Sequence, residues 1–81
     1  MTTPVLELQE LTKLCGDVIG VPAPGPGDNF LEAGGDSLMA LRIAALLEER
    51  WGIAIEASDV LFAESFAELY TEVLGFPLGH G

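Results

Sequence analysis

Apolar positions with helical spacing mark three stretches of the chain. The first predicts a helix over residues 4–19, with Thr3 as N-cap and Pro4 in the first helical position, where its missing N–H has no partner to lose. Its apolar stripe steps by three or four residues through Leu8, Leu11, Cys15 and Val18. Gly20, followed by Pro22, predicts where this helix ends.

The second stretch predicts a helix over residues 37–51. Asp36 is its expected N-cap, because a carboxylate there accepts a free N–H of the first turn. Gly52 predicts its end. Its buried stripe follows the i, i+3, i+4, i+7 pattern through Ala40, Ile43, Ala44, Leu47 and Trp51.

The third stretch predicts a helix over residues 65–74. Ser65 and Glu68 form a capping box, in which the serine accepts from the Glu68 N–H and the glutamate reaches back. Gly75 stops the helix. The apolar stripe consists of Phe66, Leu69, Tyr70 and Val73.

A short helical turn is expected near residues 59–62, capped by Ser58 or Asp59. The preceding segment, residues 52–56, alternates only weakly and predicts an extended connector. Three longer helices, one short helix and no convincing sheet predict an all-α fold, a four-helix bundle.

Length and charge narrow the function. The chain has 81 residues and a formal net charge of −10 from 13 acidic and 3 basic residues. We expect one domain over 1–81, with its core at 4–75 and a flexible tail at 76–81. The charge argues against nucleic acid and anionic membrane as partners. The N-terminus shows no signal-like pattern and no segment is apolar enough to span a membrane, so a cytoplasmic location is expected. We expect a monomer whose negative charge attracts basic surfaces of partner proteins.

Candidate chemistry is confined to residues 28–38. Two glycines, Gly34 and Gly35, give a flexible approach to Asp36 and Ser37. They deliver the serine to a helix N-terminus, where free N–H groups favour a negative group such as a phosphate ester.

Three other interpretations of this segment compete with a phosphate ester. Asp36 and Ser37 could be nothing more than a helix cap. A GDSL-type serine hydrolase also has the motif Gly-Asp-Ser-Leu, but His80 is the chain's one histidine and Pro77 occupies the third position before it. A calcium loop starting at Asp28 fails in register. One cysteine and one histidine form neither a disulfide nor a structural zinc site.

The segment resembles the attachment region of phosphopantetheine carrier proteins. The resemblance rests on residues 29–38 and 41–43, on Trp51-Gly52-Ile53 and on Leu61-Phe62 before a capped last helix, and it covers about residues 5–75. It implies that Ser37 accepts 4′-phosphopantetheine from coenzyme A through a transferase, with a motif formed by Gly34, Gly35, Asp36 and Leu38. It also implies a four-helix fold and no catalysis by the chain itself.

The details resemble a free-standing peptidyl carrier of nonribosomal peptide synthesis more than an acyl carrier of polyketide or fatty-acid synthesis. The double glycine and Arg42 favour the peptidyl type, whereas Asp36 stands where many embedded peptidyl carriers have histidine. The implied partners are the transferase, an adenylating or acyl-transferring loading enzyme, and condensing, tailoring or thioesterase enzymes. An acidic helical adaptor without a prosthetic group is the alternative of another class. Asp36 is expected to help the transferase or its metal recognise the site.

Some apolar side chains fall outside the predicted core. At about 100° per residue, Leu38 and Leu41 point away from the stripe centred near Ala44 and Leu47. They are either covered by the long loop or open to partners. The candidate docking residues are Leu38, Met39, Leu41, Arg42 and Phe62.

Four further side chains have simpler expectations. Arg42 is expected on the same side of the helix as the docking residues, where its alternative is a solvated position near Glu49. Cys15 and Trp51 are expected in the core, and His80 in the tail.

Overall fold

The computed structural model describes residues 5–76, and within them the fold is all-helical. The helices are α1 (Leu8–Ile19), α2 (Ser37–Trp51), α3 (Ala57–Phe62) and α4 (Phe66–Glu68), and α4 continues into a π-helical segment, Leu69–Val73. The predicted four-helix architecture is confirmed, and α2 has the predicted bounds. No helix of these residues is long and apolar enough to cross a membrane.

The core draws on all four helices and on two non-helical residues. Leu6, before α1, and Phe30, in the long loop between α1 and α2, are both almost fully buried. Cys15 is buried as predicted, while Trp51 is half-buried against the core. The buried cluster comprises Leu6, Leu11, Leu14, Cys15, Phe30, Ala40, Ile43, Leu47, Val60, Phe66, Leu69 and Tyr70.

The predicted start of α1 is wrong. The helix begins at Leu8, with Glu7 as an extended N-cap, and the carboxylate of Glu10 accepts the Glu7 N–H at 3.0 Å. This contact satisfies an N–H just before the helix and holds the preceding residues extended, so that Leu6 enters the core. Thr3 and Pro4 lie outside the described residues.

The predicted start of α3 is also wrong, by two residues. The helix begins at Ala57, and its N-cap is Glu56 rather than Ser58 or Asp59. Asp59 instead accepts the Glu56 N–H at 3.3 Å. The acid therefore acts from inside the first turn, which is why the cap lies farther upstream than a serine or aspartate cap would predict.

The last helix is capped by Ser65, whose hydroxyl accepts the Glu68 N–H at 3.0 Å as predicted. The carboxylate of Glu68 reaches back one residue farther than expected, to the Glu64 N–H at 2.8 Å. Beyond Glu68 the helix is π-helical rather than α-helical as predicted, with i→i−5 backbone bonds. The Thr71 hydroxyl donates to the Ala67 carbonyl, a side-chain bond that distorts an α-helix.

The two ends of the described chain meet at Tyr70. Its hydroxyl donates to the Leu6 carbonyl at 2.8 Å in a buried contact. Its ring stacks on Phe76 with centroids 5.2 Å apart. Phe76, which the sequence places with the tail, is thus part of the packed structure, whereas the predicted tail residue His80 lies outside the described residues.

Gly16 is required within α1 for close packing. A Cβ at this position would come within 2.9 Å of the Val21 carbonyl oxygen and 3.1 Å of the Ala23 Cα. Both contacts are with backbone, which cannot rotate away. The glycine that weakens the helical pattern therefore allows the long loop to fold back against α1.

A pair of leucines in α2 tests the assignment of its faces. Leu47 is fully buried, whereas Leu41 is 59% exposed. We expect Leu47→Ala to lower the free energy of unfolding by about 2–5 kcal/mol, because it leaves a cavity in a small core. Leu41→Ala is expected to cost less than about 1 kcal/mol. Urea denaturation measures both, and equal losses would contradict the assignment.

Candidate functional site

The long loop before α2 is held in place by the N-terminus of α4. The Phe66 N–H donates to the Asp28 carbonyl at 2.8 Å, and the Ala67 N–H donates to the Pro26 carbonyl at 2.9 Å. Helix N-termini carry N–H groups that have no partner inside the helix. Here the loop supplies the acceptors, so α4 and the loop fix each other.

Within the loop, residues 29–35 form a tight turn. The Asn29 side-chain oxygen accepts the Glu32 N–H at 2.7 Å, and the Gly35 N–H donates to the Phe30 carbonyl at 2.8 Å. The Asp28 carboxylate accepts the Gly25 N–H at 2.8 Å in the preceding turn. Asp28 and Asn29, which suggested a calcium loop, therefore use their oxygens to shape the backbone.

The two glycines before the serine have separate structural reasons, and neither is flexibility. Gly34 has φ +105°, a region that side chains rarely adopt. Gly35 packs against the buried Phe30 ring, and a Cβ there would clash with three ring carbons. Together they bring the chain over the ring and into α2.

Ser37 is the first residue of α2 and is exposed. Asp36 is its N-cap, as predicted, with a carboxylate oxygen that accepts the Met39 N–H at 2.9 Å. Among residues 5–76, the N–H groups of Ser37 and Leu38 have no protein acceptor. The site thus presents a free hydroxyl beside unpaired donors at the positive end of a helix dipole.

Three of the predicted docking side chains are exposed. Leu38 is 76% exposed and Phe62 is 71% exposed, and Leu41 is also exposed, to a smaller extent. Met39 differs, because its side chain is half-buried and packs on the core. Leu31, outside the predicted set, is also exposed in the loop, where no periodic pattern marks it.

At 3.6 residues per turn, Arg42 points about 40° away from Leu38 around α2, so its place beside the docking residues stays a prediction. Arg42 lines the groove between α1 and α2, next to Val18 and Leu46. A pairing with Glu49 is not formed among residues 5–76, where the ion pair is Lys13–Asp17 at 3.4 Å.

The Cys15 thiol is unreactive because it is buried in the core. Burial removes the thiolate from water and raises the pKa of the Cys15 thiol to about 12. Because the thiolate is the reactive form, this thiol is protonated at neutral pH and unreactive.

Comparison with known proteins agrees with the geometry of the site. The family model described as phosphopantetheine attachment site matches residues 9–73. Apicidin F synthase of Gibberella fujikuroi is 41% identical over 61 residues, 75% of this chain and 1% of that protein. Phosphinothricin tripeptide synthetase PhsC of Streptomyces viridochromogenes is 36% identical over 56 residues, 69% of this chain and 5% of that protein. The chain spans 1–5% of the length of the curated relatives it matches.

Solved structures have the same fold. The solution structure of an active-site mutant peptidyl carrier protein superposes with a TM-score of 0.70, at 22% identity over 99% of this chain and 92% of that one. The crystal structure of holo T3CT gives a TM-score of 0.67, at 26% identity over 76% of this chain and 90% of that one.

The chain belongs to the phosphopantetheine attachment family, as a carrier domain of the peptidyl type found in nonribosomal peptide synthetases. Members of this family hold a phosphopantetheine group and are not themselves catalysts. The carrier predicted from the sequence and its cofactor are confirmed, and the adaptor without a prosthetic group is wrong.

The contact between Gly35 and Phe30 can be tested with a matched pair of glycines. We expect Gly35→Ala to lower the free energy of unfolding by about 1–3 kcal/mol, because its methyl group displaces the buried ring. Gly27→Ala, where a Cβ meets no atom within 4 Å and φ is not positive, is the control. Its expected change is within about 0.5 kcal/mol. Similar urea midpoints for the two variants would contradict the proposed role of Gly35.

Proposed function

We propose that Ser37 is the residue that carries 4′-phosphopantetheine. The observation that supports this is the exposed Ser37 hydroxyl at the first position of α2. The other serines are less suitable: Ser65 accepts a hydrogen bond as the cap of α4, and Ser58 lies within α3.

The surroundings of Ser37 fit a phosphodiester. The unpaired N–H groups of Ser37 and Leu38 and the dipole of the 15-residue α2 favour a negative group there. Asp36 adds an opposing charge, but its carboxylate is held by the Met39 N–H. When attached, the arm supplies a terminal thiol that carries an aminoacyl or peptidyl group as a thioester.

The chain supplies only the nucleophile for its own modification. The Ser37 oxygen forms a bond to the phosphorus next to the pantetheine arm, and the pyrophosphate bond of coenzyme A breaks to release adenosine 3′,5′-bisphosphate. The hydroxyl proton passes to a base of the transferase, whose metal neutralises the leaving phosphate. Asp36 would help that enzyme recognise the site.

The cargo that we propose is an aminoacyl or peptidyl group, because the relatives are peptide synthetases. The partners would then be a phosphopantetheinyl transferase, an adenylating enzyme, and condensing, tailoring or thioesterase enzymes. One neighbouring structure, a non-covalent docking-domain complex of PaxA and PaxB, superposes with a TM-score of 0.71, at 25% identity over 86% of this chain and 68% of that one. That complex supports assembly with other synthetase proteins here.

These enzymes would meet an apolar surface beside the serine, formed by Leu38, Leu41 and Phe62. The three side chains are exposed on α2 and α3, whose helices pack together. Met39 would contribute only its outer part and Arg42 only its edge toward α1. Because the chain is strongly acidic, partners with basic rims would approach this surface fastest.

The attachment is tested by Ser37→Ala, with Ser58→Ala as the matched control. After incubation with coenzyme A and a permissive transferase, we expect the mass increase to be abolished in the first variant and retained in the second. Helicity should be unchanged in both, because Asp36 still caps α2. A thiol label should report the arm alone, since Cys15 is buried. Modification that persists in Ser37→Ala would refute the assignment.

The docking surface is tested with two substitutions of equal charge, Phe62→Glu and Val73→Glu, both at exposed positions. We expect Phe62→Glu to reduce the rate of aminoacyl loading about tenfold or more, because a charge is buried in the contact. Val73→Glu should have little effect. Equal loading rates in the two variants would show that Phe62 is not part of the docking surface. Loading by a malonyl-type transferase instead of an aminoacyl-adenylating enzyme would point to the acyl carrier alternative.

A further inference from the structure

The groove between α1 and α2 gathers every lysine and arginine of the chain. It consists of two adjoining depressions of about 150 and 370 Å³, which share Leu14, Asp17 and Arg50. Its apolar floor is formed by Leu14, Val18, Leu46 and Trp51, and its rim carries Lys13, Arg42 and Arg50. We call this surface the cationic groove.

The groove differs in charge from the rest of the chain. Its carboxylates, Glu10 and Asp17, are both engaged, one with the Glu7 N–H at 3.0 Å and the other with Lys13 at 3.4 Å. Three cations against two carboxylates give the groove a net charge of +1, so the remainder carries −11. Arg42 and Arg50 have no carboxylate partner among residues 5–76.

The position of these arginines in the fold leaves Arg42 unexplained. Arg50 lies in the last turn of α2, where a cation stabilises the helix dipole. Arg42 lies in the second turn and gains nothing from that effect. Arg42, Leu46 and Arg50 follow each other at i, i+4 and i+8, which spaces the arginines about 12 Å apart on one side of α2, with an apolar residue between them.

We propose that the cationic groove docks an acidic segment of a partner protein. Carboxylates of that segment pair with Arg42 and Arg50, and an apolar side chain between them packs on Leu46 and Trp51. The acidic remainder of the chain repels such a segment elsewhere, so charge fixes where it binds.

Apart from Arg42, the cationic groove shares no residue with the apolar surface proposed for the enzymes that act on Ser37. At 3.6 residues per turn, Leu46 points about 140° away from Leu41 around α2. An acidic segment packed on Leu46 therefore leaves Leu41 free. The proposal goes beyond the carrier function and does not depend on which residue holds the arm.

Trp51 provides a direct test, since it is the chain's single tryptophan and lines the groove. The probe is a short helical peptide without tryptophan, with glutamates two turns apart and leucines between them. We expect it to change the Trp51 fluorescence saturably and to bind more weakly as salt is raised. A control peptide with lysines in place of the glutamates should not bind.

The matched variants are Arg50→Gln and Ala54→Glu, which make the net charge more negative by the same amount. Ala54 is exposed and lies beside Glu48 and Glu56, away from the groove. We expect Arg50→Gln to weaken peptide binding about threefold or more and Ala54→Glu to leave it nearly unchanged. Arg50→Lys should restore part of the affinity, and transferase modification should proceed equally in all three variants.

Four results would overturn the proposal. The first is no change in Trp51 fluorescence at about 1 mM peptide, and the second is binding of the lysine peptide as tight as that of the glutamate peptide. The third is an equal loss of peptide affinity in Ala54→Glu and Arg50→Gln. The fourth is a change in Trp51 fluorescence that depends only on the concentration of the chain. The last would identify a second copy of this chain as the occupant.

Discussion

The burial of the Phe30 ring is the interaction on which the site depends. Phe30 belongs to the loop and not to a helix, yet its side chain is almost fully buried among side chains of the helices. Because Gly35 passes directly over the ring, the position of the ring determines where the chain enters α2 and therefore where Ser37 stands. The Ser37 hydroxyl belongs to a helix, but a hydrophobic contact in the loop places it.

The loop that contains Phe30 keeps its shape without regular secondary structure. Its carbonyls accept the first N–H groups of α4, and its polar side chains close short turns. These bonds satisfy backbone groups that would otherwise need water. The same loop closes against α1 at Gly16, so three helices are connected through one irregular segment. A small core thereby supports a long, ordered approach to the site.

The sequence predicted most where periodicity and capping act locally. The bounds of α2, its Asp36 cap and the Ser65 cap follow from spacing and side-chain chemistry, and so does the exposure of Ser37. The starts of α1 and α3 could not be predicted, because glutamates, Glu7 and Glu56, occupy the N-cap positions, where serine and aspartate are the usual signals. The burial of Phe30 depends on tertiary contacts, which have no local pattern, and the π-helical segment has no periodicity signal of its own.

The hydrogen bond from Tyr70 to the Leu6 carbonyl joins residues 64 positions apart, and the ring stacked on Phe76 extends the same junction. Tension applied to the backbone at Val5 and Phe76 would load this junction first, because it directly connects the two pulled segments. The path of force then bypasses α2 and the loop in front of it. Pulling on the carrier from both sides would therefore leave the geometry around Ser37 undisturbed until the junction breaks.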